Sequence, residues 1–248
     1  MTINILTWNI KAGQNKDGGY PDPKTENLDK IADEIKTSRA SIVCLQEVDA
    51  YTIRSGTNIH QAEYISNKLT AITGTTWNYK YITSINMNPG YYGNAIISSC
   101  SLTTALRVYL SKVNSSENRS FLLVRVDFGS SYFYVGTAHL GLNGDQVIQA
   151  QKIKDELNNN GFSNERLIIG CDLNDGENSD TYNIMLNNVF SMVDSGPAGI
   201  CTLECYNNSN NPKIDFLFNC GTSIDATKSK VLQVDISDHR PVMAYIND

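Results

Sequence analysis

The sequence lacks the features of a membrane-spanning, exported or modular chain. It has no run of about 20 apolar residues, the length that spans a bilayer, and Ile3, Ile5 and Leu6 predict a first strand instead of a signal peptide. No internal repeat and no linker-like stretch divides its 248 residues. We therefore expect one domain over residues 1–248, monomeric and cytoplasmic, without a transmembrane segment.

The chain also lacks an excess of basic residues. It has 20 Lys and Arg against 26 Asp and Glu, a net charge of -6. Such a chain repels polyanions as a whole, although a local basic rim or a bound cation can offset this. The charge argues against a non-catalytic DNA-binding module and slightly favours a small molecule or a lipid headgroup over long DNA as partner.

Cysteine motifs are missing as well. The six cysteines form neither paired CxxC motifs nor the dense pattern of a disulfide-rich domain. We predict buried, reduced thiols. Cys201 and Cys205 have the same strand parity, so a zinc site there is the lesser alternative.

What the sequence does contain is a series of short apolar runs rich in β-branched and aromatic residues. Strands are predicted at 3–8, 41–45, 79–83, 94–98, 106–110, 121–128, 132–137, 167–170, 214–218 and 242–246. Helical spacing predicts helices around 28–35, 62–72, 145–157 and 181–188, the first with Thr25 as a candidate N-cap. This order indicates stacked mixed sheets covered by helices.

Polar side chains follow several of these strands directly. The clusters are Trp8-Asn9, Gln46-Glu47, Thr137-Ala138-His139, Asp172-Leu173-Asn174 and Ser237-Asp238-His239, and Asp215 lies inside a further strand. A carboxylate that ends a strand is more often a turn or cap residue than a ligand, so no single cluster decides the function. Together they indicate a cleft at a sheet edge.

Hydrolysis of a phosphate ester would use this combination of groups. Glu47, Asp238 and Asn9 offer the oxygen ligands that a hard cation such as Mg²⁺ binds. Asp172 is the candidate base that takes a proton from water, and Asn174 is the candidate donor to the charge that develops on phosphate.

Two histidines complete the candidate set. His239 can donate to phosphate as an imidazolium, with Asp215 behind it to hold its orientation, and His139 ends another strand. Taken singly, each is more often a histidine bonded to a carbonyl. His60 opens a predicted helix with no acid beside it, so we interpret it as structural.

Other catalytic patterns are absent. The sequence contains no GxSxG, GxxxxGK[ST] or HExxH motif. Ser237, Asp238 and His239 are adjacent and cannot form a triad locally.

In order and spacing, these motifs resemble those of the endonuclease/exonuclease/phosphatase superfamily. The resemblance runs from residue 3 to residue 246 and rests on Thr7-Trp8-Asn9-Ile10, Leu45-Gln46-Glu47-Val48, Thr137-Ala138-His139-Leu140, Gly170-Cys171-Asp172-Leu173-Asn174, Lys213-Ile214-Asp215-Phe216 and Ser237-Asp238-His239-Arg240-Pro241-Val242. It implies an α+β, DNase I-like four-layer sandwich of two mixed β-sheets flanked by helices. It also implies dependence on Mg²⁺ or Mn²⁺ and in-line attack by water.

The resemblance implies the same roles for the residues named above, with Glu47 and Asn9 at the metal and Asp238 joining them in some members. It adds a phosphate-binding Arg119 and a cleft residue Asn94. His139 resembles the second histidine of the DNase I and sphingomyelinase branches.

One departure bears on the metal. Lys11 stands two residues after Asn9, where some nucleases carry a second acidic ligand, so one ion is favoured over two. We also find no carboxylate partner for His139 in the sequence.

The sequence therefore predicts a metal-dependent phosphodiesterase or phosphatase. A DNase I-like or abasic-site-type endonuclease is one alternative. A non-catalytic binding or scaffold protein on the same fold is another, and it would predict losses among the candidate residues. Glu47, Asp172, Asn174, Asp215 and His239 are all present.

Overall fold

The elements of the fold follow the apolar pattern closely. The structure, a computed structural model, describes residues 2–186, 192–208, 210–225 and 227–247. Its strands are β1 (Thr2–Asn9), β2 (Ile42–Ala50), β3 (Asn78–Asn86), β4 (Tyr91–Ser98), β5 (Ser101–Leu110), β6 (Arg119–Phe128), β7 (Ser131–His139), β8 (Leu167–Asp172), β9 (Val193–Asp194), β10 (Asp215–Cys220), β11 (Ser223–Ile224), β12 (Lys230–Val231) and β13 (Val242–Asn247).

The helices are α1 (Glu26–Ser38), α2 (Gln61–Thr73), α3 (Asp145–Asn159) and α4 (Asp180–Leu186), with 3-10 turns at Lys11–Gly13 and Phe162–Asn164. All predicted strands and helices are present, and residues 187–188 of the predicted fourth helix lie outside the described residues. Thr25 precedes α1 as expected but makes no side-chain capping bond. Among the described residues, no helix is long and apolar enough to cross a membrane.

Two sheets form the centre of the molecule. One has the order β11-β13-β1-β2-β4-β3, with β12 also on β13, and the other has the order β5-β6-β7-β8-β10-β9. The pairs β1–β2 and β7–β8 are parallel, and the remaining pairs are antiparallel. The sheets are therefore mixed, as predicted.

Strands that are apolar on both faces place these sheets in the middle of four layers. In β1, Ile3 and Ile5 pack in the cluster between the sheets, whereas Leu6 and Trp8 pack in the cluster that contains α1 and α2. The second sheet does the same against α3 and α4. Burial of each such aliphatic side chain is worth about 1.5–3 kcal/mol, so the layers hold each other in place.

The sheets approach closely near their polar ends. A Cβ on Gly170 of β8 would lie 2.8 Å from Cβ of Cys44 and 2.9 Å from Cβ of Thr7. Only a residue without a side chain fits there, because protein interiors are close-packed. This contact brings the end of β8 next to the ends of β1 and β2.

The cysteine prediction was wrong at one pair. Cys201 and Cys205 form a disulfide in a loop, not two thiols or a zinc site on a strand. Glu204 has a left-handed backbone (φ 47°), and the loop brings the two Cα atoms to 5.8 Å. Four residues of strand would span about 13 Å. The other cysteines are free, as expected.

Candidate active site

The polar residues at the strand ends meet at one end of the sandwich. Asn9 pairs beside Gln46 across β1–β2, and His139 pairs beside Asp172 across β7–β8. Asp215 at the start of β10 lies opposite Asp172. The hydrogen bond from Asn9 Nδ2 to Asp172 Oδ2, 2.9 Å, connects the two sheets at this point. The polar residues that the sequence places at strand ends therefore lie together at this end of the sandwich.

Asn9 links two carboxylates. Its Nδ2 donates to Glu47 Oε1 at 3.0 Å as well as to Asp172, and its Oδ1 accepts from the backbone N of Lys11 at 3.0 Å. The side chain is fully buried. Asn9 therefore fixes Glu47 and Asp172 close enough to share one amide group.

Glu47 occupies an irregular point of β2. The pairing of β2 with β4 shifts register between Leu45 and Val48, and Glu47 has a left-handed backbone with φ 55°. For a residue other than glycine such a conformation costs roughly 1–3 kcal/mol, and active sites are one place where it is retained. Because of this irregularity, consecutive side chains bond to residues of the candidate site. Gln46 Nε2 donates to Thr137 Oγ1 at 3.0 Å, and Glu47 accepts from Asn9.

Asp172 lies at the centre of the cluster and is 1% exposed. Its Oδ1 accepts from the backbone N of Asn174 at 2.9 Å. Its Oδ2 lies 3.6 Å from His139 Nε2 and 3.8 Å from His239 Nε2. Burial, followed by the negative charge of Asp215, raises the pKa of Asp172 to about 7. The group can therefore take up a proton near neutral pH.

His139 is held as a neutral imidazole. Its Nε2 lies 2.9 Å from Asn174 Nδ2, which also donates to the carbonyl of Leu140 at 2.8 Å. Its Nδ1 lies 3.5 Å from the hydroxyl of Tyr92. Burial and then the positive charges of Arg119 and His239 lower the pKa of His139 well below its usual value. The sequence showed no carboxylate partner for His139; the structure places Asp172 Oδ2 3.6 Å from its Nε2 and a tyrosine beside its Nδ1.

His239 has the opposite charge state. Its Nδ1 donates to Asp215 Oδ2 at 2.8 Å, and both side chains are buried. Burial would lower the pKa of His239, but the negative charges of Asp215 and Asp172 raise it to about 10. Trp8 Nε1 donates to the carbonyl of His239 at 3.0 Å. The site thus holds an imidazolium 3.8 Å from the Asp172 carboxylate.

Lys11 reaches into the same cleft. Its Nζ pairs with Asp238 Oδ2 at 2.8 Å. Position 11, where some nucleases carry an acidic ligand, therefore holds a positive charge in this chain. That charge already balances the negative charge of Asp238.

Arg119 begins β6 at the other side of the cleft and is 7% exposed. Its Nη1 pairs with Glu117 Oε2 at 2.8 Å, while its buried Nε has no partner among the described residues. A buried donor without a partner is available to a ligand. Asn94 donates through Nδ2 to the carbonyl of Ser120 at 2.9 Å, so it supports the start of β6 beside Arg119.

A cavity of about 240 Å³ adjoins Glu47 and Arg119. It is also lined by Arg54, Ile85, Met87, Tyr92 and Glu117. Arg54 is held there by a two-point ion pair with the buried Asp49, at 2.8 Å for both bonds. Sequence reasoning missed Glu117 and a cleft role for Arg54, because only the fold brings the loop before β6 next to β2.

One cluster of acidic and imidazole side chains among the described residues could hold a cation. Ligand atoms of Asp172, Asp215 and His239 lie within 4.8 Å of one another. In that set, however, Asp215 and His239 already share a hydrogen bond. The set predicted from the sequence is Glu47, Asn9 and Asp238, in which Asn9 bonds to Glu47 while Asp238 pairs with Lys11. Asn9 fits it least, because its nitrogen faces Glu47 and its oxygen is bonded to the backbone of Lys11.

The fold and cleft together define an α+β sandwich with an acid, amide and imidazole site at one end. The chain matches the model of the Endonuclease/Exonuclease/phosphatase family over residues 6–239. It belongs to that family.

Solved structures share this fold at low sequence identity. An endonuclease/exonuclease/phosphatase family protein from Leptotrichia buccalis is 17% identical with a TM-score of 0.76, covering 99% of this chain and 100% of that one. A mannosyl-6-phosphatase from Bacteroides thetaiotaomicron is 14% identical, with a TM-score of 0.74 and coverage of 99% and 100%. A humanized Danio rerio TDP2 is 13% identical, with a TM-score of 0.70 and coverage of 100% and 99%. No curated protein sequence matches the chain.

Proposed function

We propose that the protein hydrolyses phosphate esters by attack of water on phosphorus, and that the reaction requires Mg²⁺ or Mn²⁺. The observation that carries the proposal is the position of Asp172, whose Oδ2 faces two imidazole nitrogens at 3.6 and 3.8 Å and an amide at 2.9 Å. A proton acceptor, a cationic donor and neutral donors thus lie within one cluster, as such a reaction needs.

Asp172 is the base in this proposal. Asn9 and the backbone of Asn174 hold its two oxygens in fixed directions, so the carboxylate is oriented before water arrives. Its raised pKa makes it a stronger proton acceptor than an exposed carboxylate at the same pH.

Three side chains supply positive charge or donors to the phosphate oxygens. His239 does so as an imidazolium backed by Asp215 and Arg119 through its unpaired Nε, whereas Asn174 Nδ2 would exchange its bond to His139 or to the Leu140 carbonyl for one to phosphate. Donors that are fixed and buried stabilise developing charge more strongly than mobile ones in water. His139, neutral and bonded to Tyr92 and Asn174, supports the position of the Asn174 amide.

Glu47 would hold the metal ion, with Asp238 as a further ligand, while Asn9 would orient Glu47 through its amide nitrogen. Carboxylate oxygens are what Mg²⁺ and Mn²⁺ prefer, and the ion when bound would polarise phosphate and neutralise its charge. We propose one ion, because Lys11 occupies the neighbourhood of Asp238 with its own positive charge.

We propose that the substrate is a small phosphate ester. The cavity beside Glu47 and Arg119 measures about 240 Å³, below the roughly 300–1,000 Å³ of pockets for drug-sized ligands. Arg54, Glu117 and Tyr92 give it both donors and acceptors, which suits a polar alcohol group. The similarly folded mannosyl-6-phosphatase is named for a substrate of this size. Long nucleic acid is less supported, because the net charge is -6.

A metal-supplemented activity screen tests the proposal. The panel contains sugar phosphates, inositol phosphates, a chromogenic phosphodiester, sphingomyelin, plasmid DNA and an abasic oligonucleotide. We expect hydrolysis of a small ester that is lost in Asp172→Asn and retained in Asp127→Asn, whose side chain lies on the surface in a pair with Arg125. Folded wild-type protein that cleaves none of them, with either metal, would instead support a non-catalytic protein.

A further inference from the structure

A disulfide-closed loop lies against the chain segments that carry His239 and Asp215. Cys201 and Cys205 are joined, and the loop of residues 201–205, here the clamp loop, precedes β10. Both cysteines are less than a tenth exposed. None of residues 201–205 is among the residues proposed for hydrolysis. The loop makes hydrogen bonds to the segments that carry His239 and Asp215.

The backbone of the clamp loop pairs with the chain on both sides of His239. The backbone N of Arg240 donates to the carbonyl of Thr202 at 2.7 Å, and the backbone N of Glu204 donates to the carbonyl of Asp238 at 2.6 Å. Leu203 forms an antiparallel bridge with His239 between these two bonds. The clamp loop therefore sets the position of the His239 backbone, from which the imidazole extends.

The side chain of Thr202 sets the position of Asp215. Its Oγ1 accepts from the backbone N of Ile214 at 3.0 Å and from the backbone N of Asp215 at 3.2 Å. Thr202 is fully buried. Without its hydroxyl, these two buried N–H groups would lose this acceptor, an arrangement that native proteins avoid.

Thr202 thus bonds through its carbonyl to Arg240, the residue after His239, and through its hydroxyl to the backbone of Asp215. We propose that Thr202 is a positioning residue for this pair and that the Cys201–Cys205 disulfide holds Thr202 in place, so that hydrolysis depends on the oxidised state of the two cysteines. The kinetic part of this inference rests on the proposed function.

Reduction would act by increasing the conformational freedom of the clamp loop. A dithiol reagent such as dithiothreitol transfers two electrons and two protons to the disulfide, giving two thiols and the cyclic disulfide of the reagent. The covalent ring closed by the disulfide, which limits the conformations of residues 201–205, is then open. Noncovalent contacts alone must then keep the loop ordered. The hydrogen bonds of Thr202 become transient, and the imidazole moves relative to Asp215.

The first experiment compares Thr202→Val, which keeps the shape and removes the hydroxyl, with Thr202→Ser, which keeps the hydroxyl. We expect kcat to fall by about 10- to 100-fold in the valine variant, since small misplacement of reacting groups has effects of this size, with KM little changed, and to recover in the serine variant. Equal kcat in Thr202→Val and wild type would overturn the positioning role.

The second experiment measures amide hydrogen exchange in the full chain. Exchange in peptides containing residues 214–215 and 239–240 should increase in Thr202→Val and in protein reduced until alkylation reports two new thiols. Exchange in β3 and β4 should not change. Unaltered exchange at 214–215 and 239–240 after reduction would contradict the clamp, and so would an equal increase throughout the chain.

The third experiment isolates the disulfide. A Cys201→Ser, Cys205→Ser double variant should have a lowered kcat that dithiothreitol no longer affects, whereas reduction lowers kcat of the wild type. Equal sensitivity of both proteins to reductant would assign the effect to another cysteine and overturn the redox dependence. A wild type without activity on any ester would refute the proposed function, and hydrogen exchange would still decide whether the clamp exists.

Discussion

His239 Nδ1 and Asp215 Oδ2 lie 2.8 Å apart, and both side chains are buried. The pair joins the segment before β13 to the first residue of β10. Because a buried imidazolium is unstable without a neighbouring negative charge, Asp215 determines the charge that His239 presents to a phosphate group.

Replacement of Asp215 by Asn should remove the negative charge of this side chain while keeping its shape. We expect the pKa of His239 to fall, since Asp215 is the first of the charges that raise it. We further expect kcat to fall by about 10²- to 10⁴-fold, the range for loss of a positioned acid or base. Histidine NMR titration and steady-state kinetics measure the two effects. Asp33→Asn, on the exposed face of α1, is the control; comparable losses in both variants would contradict a specific role.

The rate of hydrolysis should depend on pH with two limbs. Asp172 acts when deprotonated, and burial with the Asp215 charge raises its pKa to about 7, so activity should rise as pH increases through neutrality. His239 acts when protonated, with a pKa of about 10, so activity should decline above that pH. A bound divalent cation favours the carboxylate and shifts the lower limb to more acid pH. A kcat/KM profile that stays flat from acid to neutral pH would exclude Asp172 as the base.

Tyr92→Phe should have a smaller effect than the changes above. The Tyr92 hydroxyl lies 3.5 Å from His139 Nδ1, at the upper limit for a hydrogen bond. Loss of one such bond is worth about 0.5–1.5 kcal/mol, or about two- to tenfold in kcat. Tyr109→Phe, at a tyrosine that is 67% exposed, is the matched control. A loss as large as that of Asp172→Asn would mean that Tyr92 contacts the reacting groups themselves.

Glu47→Gln should weaken metal binding independently of activity. Even residues behind metal ligands typically contribute about 10- to 100-fold to affinity, so a direct carboxylate ligand should contribute at least as much. Isothermal titration with Mn²⁺, without substrate, measures the effect, and Glu63→Gln on the exposed side of α2 is the control. Unchanged Mn²⁺ affinity in Glu47→Gln would contradict the proposed ligand and indicate that the ion binds at the cluster of Asp172, Asp215 and His239.

Asp145 should stabilise the fold at neutral pH without taking part in catalysis. Burial alone would raise its pKa, but bonds from the Ser115 hydroxyl and from the backbone N of Val113, Ser115 and Asn114 lower it well below its usual range. Its ordinary pKa is about 3.9, so its contribution is present above that pH and is lost as pH falls through the lower folded-state value.

Asp145→Asn should therefore unfold at lower urea concentration than the wild type at neutral pH, and the difference should shrink in acid. Urea unfolding at the two pH values measures this. Asp127→Asn at a surface ion pair should change little. A difference between Asp145→Asn and wild type that grows in acid would contradict the sign of the shift.

Sequence reasoning reached most of the candidate site because the chemistry lies at strand ends. Asn9, Glu47, His139 and Asp172 each follow an apolar run, and strands of one sheet present their ends at a common edge. The family motifs added Arg119 and Asn94. The structure places all of them at or beside the cleft, while their roles remain predictions.

The contacts between distant segments were not predictable in the same way. Tyr92 beside His139 and Thr202 beside Asp215 involve different strands and loops whose register is set only when the layers pack. The disulfide between Cys201 and Cys205 was missed because strand parity was assumed where a left-handed Glu204 makes a turn.

By itself, the sequence determined the elements and the identity of the groups that could react, because apolar periodicity and residue type are local properties. The order of those elements also indicated stacked mixed sheets covered by helices. The sequence also predicted Asp215 as the partner of His239, which the structure shows at 2.8 Å, whereas tertiary structure alone placed Asp172 near both imidazoles. These positions decide which group is protonated: burial and the positive charges of Arg119 and His239 lower the pKa of His139, whereas the negative charges of Asp215 and Asp172 outweigh burial and raise the pKa of His239.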